Sequence, residues 1–279
     1  MADEDEEQEQ AELAHANNVR VLETNVLHAS DVIYWLDATS AELEADMNRI
    51  NHPLAVSFSE KPRRIKVLNS VGKMALWESP TEGHTPDEAM IDGYATEVQR
   101  TRPVLNNFNV VGEVQDPAGR YNPSAFSATL GSGNGVSVLL YPTVVATRRP
   151  PAGIAQGHLQ FASGEGVAWG LIELEVTVAL NETITFRAQA DGKGDFVMAL
   201  SRLPPLPESV TEYAAVLRLS ADAAASADSI PNPNSFAVME LESATVTDDF
   251  QTDFVFNIRP GEITRINSFN KDHLAIQPA

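Results

Sequence analysis

Cysteine is absent from all 279 residues, which excludes disulfides, thiolate metal ligands and a cysteine nucleophile. Lysine is scarce. Lys61, Lys66, Lys73, Lys193 and Lys271 are the whole set, and the other 14 of the 19 basic residues are arginine. Basic charge as a whole is outnumbered, with 39 Asp and Glu and a formal net charge of -20. Lys and Arg drive nucleic-acid binding by neutralising phosphates, so direct nucleic-acid contact is not expected of this chain. The one basic run, Lys61-Pro62-Arg63-Arg64-Ile65-Lys66, reads as a solvated loop or a contact for an acidic partner. No apolar run approaches the roughly 18 residues of a membrane-spanning helix, and no membrane partner is expected.

Local catalytic signatures are missing as well. There is no Gly-x-Ser-x-Gly elbow. Gly131-Ser132-Gly133-Asn134-Gly135 lacks the Lys-Ser/Thr of a phosphate loop and precedes a strand-like run, so it reads as a hairpin. His84, Asp87, Glu88 and Asp92 are metal-ligand types in one polar loop, without a second histidine nearby. Asp191-Gly192-Lys193-Gly194-Asp195 is too short for a calcium loop and reads as a hairpin turn. Glu173 and Glu175 could imitate a glycosidase carboxylate pair, but on an alternating strand they read as a solvent-facing row. Asn181-Glu182-Thr183 is a glycosylation sequon at an expected turn. No catalytic, cofactor-binding or metal residue is assigned, no cofactor is expected, and the chain is read as not an enzyme.

What is present is β-pattern. Ile172, Leu174, Val176, Val178 and Leu180 alternate with Glu173, Glu175, Thr177 and Ala179. Side chains of a strand point to opposite faces with period two, so this is one apolar and one polar face. Ile184, Phe186 and Ala188, then Phe196, Met198 and Leu200, repeat the pattern after turn residues, which predicts an antiparallel meander. Shorter strand-like runs follow to the C-terminus, separated by Pro, Gly, Asn and Asp.

The N-terminus differs. Residues 1–12, opening with MADEDEEQEQ, form an acidic tail expected to be disordered and unlike a secretion signal. Residues 13–52 read as a helical arm. Within it, DVIYWL at 31–36 fits a strand or a helical turn, and Thr39-Ser40-Ala41-Glu42 fits a capping box for a helix to Ile50. Residues 53–279 read as a β-sandwich body with long loops at 79–135. The fold class expected is mainly β: an antiparallel sandwich or jelly-roll-like body behind a helical arm.

Arm, loops and acidity together suggest a non-enzymatic structural protein. The expected class is a virion component, namely a capsid, capsid-decorating or tail subunit of a DNA virus or phage. In composition and layout the chain loosely resembles viral jelly-roll proteins. Its expected partners are copies of itself and neighbouring structural subunits, and its place the virion, assembled in the host cytoplasm. The alternative is a carbohydrate-binding or cell-surface β-sandwich module, with Trp35, Trp77 and Trp169 as stacking platforms.

Overall fold

The computed structural model describes residues 31–63, 65–78, 107–131, 135–179 and 182–279. The acidic tail, the arm to residue 30 and loop residues 79–106 lie outside the described residues, as do Ser132-Gly133-Asn134, Leu180 and Asn181. The protein is mainly β, and the described residues form 17 strands in three sheets around two cores.

The first core lies between two sheets. β1 (Asp31–Asp37), β3 (Ile65–Ser70), β4 (Lys73–Glu78) and β7 (Val136–Leu140) form one, in the order β3-β4-β1-β7. β2 (Ala55–Glu60), β5 (Phe108–Gln115) and β6 (Ser124–Leu130) form the other, in the order β2-β5-β6. Alternation explains the packing. Ile33, Trp35, Met74 and Leu76 point inward from the first sheet and meet Val110, Val114, Phe126 and Leu130 from the second. Trp35 is fully buried, its ring edge-on to Phe126 with centroids 5.6 Å apart. Each such side chain contributes about 1.5–3 kcal/mol through burial.

Residues 31–52 are not helical. β1 is a central strand, antiparallel to β4 and parallel to β7. Only Glu44–Asp46 turns, as one round of 3-10 helix. The expected capping box fails because Asp37 claims Thr39 first: its Oδ1 accepts from the Thr39 amide at 2.9 Å and hydroxyl at 2.7 Å. The Ser40 hydroxyl accepts from the Asn48 amide at 2.7 Å. Asp37 N then donates to Asn48 O, and Ile50 N to Trp35 O, both at 2.9 Å. The segment is therefore an excursion that leaves β1 and returns beside it.

The second core is enclosed by a ten-stranded sheet. Its strands are β8 (Ile154–Phe161), β9 (Leu171–Ala179), β10 (Glu182–Gln189), β11 (Asp195–Ala199), β12 (Tyr213–Ala221), β13 (Ala237–Glu242), β14 (Phe250–Gln251), β15 (Phe254–Ile258), β16 (Ile263–Ile266) and β17 (Leu274–Pro278). The main path is β10-β9-β12-β13-β17-β8-β11, with β14, β15 and β16 attached to β13, β12 and β8. β9 carries the alternation predicted for it, with Ile172, Leu174 and Val176 fully buried. The expected meander holds for its first pair alone. β9 pairs with β10, but β11 pairs with β8. The linker explains the departure: Ala190 N donates to Gly170 O, and Asp191 accepts from the Lys193 and Asp195 amides through Oδ1 at 2.8 and 3.1 Å. The chain bends there instead of reversing in a tight hairpin, and the two ends of the sheet come to lie side by side.

A buried carboxylate holds the C-terminal part of this sheet. The Glu242 side chain, fully buried at the end of β13, pairs with Lys271 Nζ and accepts from the Asp248 amide at 2.8 Å. Burial pushes its carboxyl upward, but Lys271 and the amide outweigh this and hold it below its ordinary value. A depressed carboxylate adds stability that is fully present above the unfolded-state value of about 4.3 and is lost as pH falls through the folded value. Lys271→Met strands that charge and is expected to cost about 3–5 kcal/mol in urea unfolding at pH 7. Glu242→Gln with Lys271→Met is expected to recover part of the loss and flatten the acid limb of the stability profile. Equal losses in the single and double variants would show that the pairing does not matter.

Candidate functional site

The two β units, β1–β7 around the first core and β8–β17 around the second, are tied across their junction by backbone and arginine contacts. Ala125 N donates to Pro231 O at 2.8 Å. Arg187 donates through Nη1 to Glu42 O at 2.9 Å while its Nε holds Glu173 at 3.2 Å. Arg202 Nη2 donates to Thr185 O at 2.7 Å, and Nη1 lies 4.0 Å from Glu42. Two hollows remain in the junction. One, about 310 Å³, is lined by residues such as Ser124, Ser137, Tyr141 and Gln189. The other is a polar crevice of about 810 Å³ whose walls include Asp37, His52, Tyr121 and four arginines: Arg49, Arg120, Arg148 and Arg202.

Each arginine is placed by a separate local device. Arg49 sits on the returning excursion, where Gly72 makes room. A Cβ on Gly72, whose φ is +74°, would come within 3.1 Å of both Arg49 Cβ and Ile50 O. The Arg49 guanidinium lies 4.2 Å from the centroid of the Tyr34 ring, a cation–π contact. Arg120 is presented by a turn built on Asp116, whose carboxylate accepts from the amides of Ala118 at 2.8 Å, Arg120 at 2.9 Å and Tyr121 at 3.2 Å. Gly119 supplies the positive φ this turn needs. Thr143 N donates to Arg120 O at 2.9 Å, and the single turn at 143–147 then delivers Arg148 just before Pro150-Pro151. Arg202 follows β11 and comes from the second unit. Burial, reinforced by Arg187 and opposed by Glu42, lowers its pKa from the ordinary value.

The crevice carries a net positive character that the chain as a whole lacks. Arg49, Arg120 and Arg148 are exposed and pair with no carboxylate of the described residues. Asp37 is already engaged by Thr39 and by the Tyr121 hydroxyl, which donates to Oδ2 at 3.0 Å. Burial and the Asp37 charge together raise the Tyr121 pKa, so its hydroxyl stays a donor. His52 stacks on Tyr121 with ring centroids 5.7 Å apart. Its Nε2 stands 2.9 Å from Asp116 Oδ2, at ion-pair distance but off the hydrogen-bonding direction, and its Nδ1 is buried without a hydrogen-bond partner. Guanidinium forks match carboxylates and phosphates, so this arrangement is chemically suited to anions.

The residues weighed from sequence fall elsewhere. Glu173 is paired with Arg187, and Glu175 with Arg218 at 2.9 Å, which also holds Asp253 at 2.7 Å. The two glutamates are thus committed to a surface ion network. Asp191 caps the β10–β11 bend, and Asp195 lies 2.9 Å from His158. Gly131 does not close a hairpin, since β6 and β7 belong to different sheets; its amide donates to Asp31 at 2.7 Å. His84, Asp87, Glu88 and Asp92 lie outside the described residues, as does Asn181 of the sequon. Among the described residues no three of His, Asp and Glu gather where a metal ion could be held. Trp35 and Trp169 are buried, the latter donating through Nε1 to Ser226 O at 3.0 Å, so neither offers a stacking platform. Lys61, in the basic run, donates to Ile65 O at 2.5 Å and stitches its own turn. The crevice went unread in the sequence because its four arginines come from distant segments. The available signals were the excess of Arg over Lys and the Asp116-Pro117-Ala118-Gly119-Arg120 turn.

No family model and no curated protein matches the chain. One solved structure to which it is similar is the crystal structure of a leucine-rich repeat protein from Bacteroides thetaiotaomicron VPI-5482, with 9% identity and a TM-score of 0.22. That match covers 90% of this chain and spans 27% of the other, and a likeness of that size bears neither on the fold nor on the function.

Asp116 is the support of the crevice wall. Burial pushes its carboxyl up, but the amides of Ala118 and Arg120 and the neighbouring His52 outweigh it and hold the pKa below the ordinary value. Its contribution is therefore present above the unfolded-state value of about 3.9 and lost as pH falls through the folded value. Asp116→Ala leaves three amides without their acceptor and is expected to cost about 1–3 kcal/mol in urea unfolding. Amide exchange should accelerate at Ala118, Arg120 and Tyr121 in the same variant, and unchanged protection there would contradict the assigned role.

Proposed function

We propose that this chain is a non-enzymatic structural subunit of a virion: a capsid, capsid-decorating or tail component of a DNA virus or phage. It assembles with copies of itself and with neighbouring structural subunits, without direct contact with nucleic acid or membrane. The observation that carries the reading is the segregation of charge. In a chain of formal net charge -20, four arginines line one crevice, and three of them pair with no carboxylate of the described residues. Such a surface is complementary to the acidic remainder of another copy, and complementary charge steers and aligns association.

Two further features support an assembling block. The junction is cross-tied by Arg187, Arg202 and the Ala125–Pro231 bond. The two smaller sheets end in strands β3, β7, β2 and β6, each paired on one side among the described residues, and a free edge is a template for a neighbouring strand. On the finer level of fold, the first unit reads as a two-sheet sandwich across the Trp35 core, in which β1 and β7 run parallel where an all-antiparallel sandwich was expected.

Light scattering coupled to size exclusion tests the reading. The expected result is a mass above the 30.2 kDa monomer at low ionic strength. That mass should fall toward the monomer as salt screens the charges. A monomer at every salt and protein concentration would overturn the proposal.

A further inference from the structure

We infer that the arginine crevice is the docking site for the acidic run at the head of this same chain, Asp3-Glu4-Asp5-Glu6-Glu7 with Glu9. The inference rests on the assembly reading above for its biological sense, and on charge and reach for its physical content. Arg49, Arg120 and Arg148 come from three segments of the first unit and Arg202 from the second. They line one hollow of about 810 Å³, a volume suited to a stretch of peptide bearing several carboxylates more than to one small anion. Asn48, Asn51 and Ser201 add amide and hydroxyl groups to the same walls. Those groups can pair with a peptide backbone, which a bare phosphate does not offer.

Reach is sufficient. Residues 10–30 separate Glu9 from the start of β1. That length of chain spans up to about 70 Å when extended. Asp37, at the far end of β1, lines the crevice. The strand between Asp31 and Asp37 is about 20 Å long. The chain is therefore long enough for the run to reach the crevice of its own molecule. Six carboxylates in nine residues are also the densest anionic stretch in the sequence.

The test uses the full chain with its six acids neutralised (Asp3→Asn, Glu4→Gln, Asp5→Asn, Glu6→Gln, Glu7→Gln, Glu9→Gln), so that no tail of its own competes. A fluorescent peptide of residues 1–12 is titrated into it by anisotropy. The peptide is expected to bind, with affinity falling as salt rises. Arg120→Gln and Arg148→Gln together are expected to weaken it about tenfold or more, the scale of losing charge-assisted hydrogen bonds. The peptide carrying the same six neutral substitutions should not bind. Arg259→Gln, an exposed arginine beside Glu212 on the second unit, should leave affinity unchanged. Absence of peptide binding would overturn the inference, as would equal affinity in the crevice variants or inorganic phosphate competing as well as the peptide does. The mass of the unmodified chain separates this from the assembly reading. Peptide binding by a chain that is always monomeric keeps the docking and removes assembly. Undiminished assembly of the neutral-tail chain, without peptide binding, removes the docking and keeps assembly.

Discussion

The end of β1 organises the side of the molecule on which the crevice lies. Asp37 closes the strand, and its carboxylate gathers Thr39 from one direction and Tyr121 from another. Its backbone amide fixes Asn48, which returns the chain alongside β1 with Arg49 in position. Two residues earlier, Trp35 is sealed in the first core. One strand thus anchors an apolar centre at one point and a polar wall at the next. The crevice inherits the rigidity of the core because few bonds separate the two.

Electrostatics in this chain follow a division between arginines bound to carboxylates and arginines that pair with none among the described residues. Arg187 and Arg218 are committed to carboxylates, and Arg202 is shared between Glu42, the Thr185 carbonyl and the Phe186 ring. Arg49, Arg120 and Arg148 share one hollow and are turned toward solvent. Arginine suits both uses, because its planar fork grips a carboxylate in two places and stacks on a ring without losing charge. A chain with few lysines loses little by relying on it.

Strand positions were legible where local pattern decides them. The alternation of Ile172, Leu174 and Val176 against Glu173 and Glu175 marks β9 and its buried face directly. Strand partners were not legible in the same way. Phe196 and Met198 alternate as well as any meander strand, yet β11 crosses to β8, because Asp191 bends the connection and long-range pairing settles the rest. The segment at Thr39–Glu42 misled for a related reason: a capping pattern is a local offer, and the Asp37 carboxylate took the Thr39 amide that Glu42 would have capped, and the hydroxyl with it. The crevice was the least legible feature. Its parts lie in four segments that share no spacing, and only the folded junction brings them together.

The parallel pairing of β1 with β7 sets Ile33 beside Val136, and Asp31 accepts from Gly131 across the same stretch of chain. In the second unit β17, at the C-terminus, lies parallel to β8. Contacts this distant in sequence are slow to form, because a long loop must close before any ladder rewards it. During synthesis the first unit has to wait for residues 136–140 to emerge, and the second for its last strand. Until then β1 has only β4 beside it and β8 only β11, each with one edge open, and an open strand edge is the kind of surface through which nascent chains aggregate. The open edges of β1 and β8 are thus the surfaces most in need of shielding while the rest of the chain is being made.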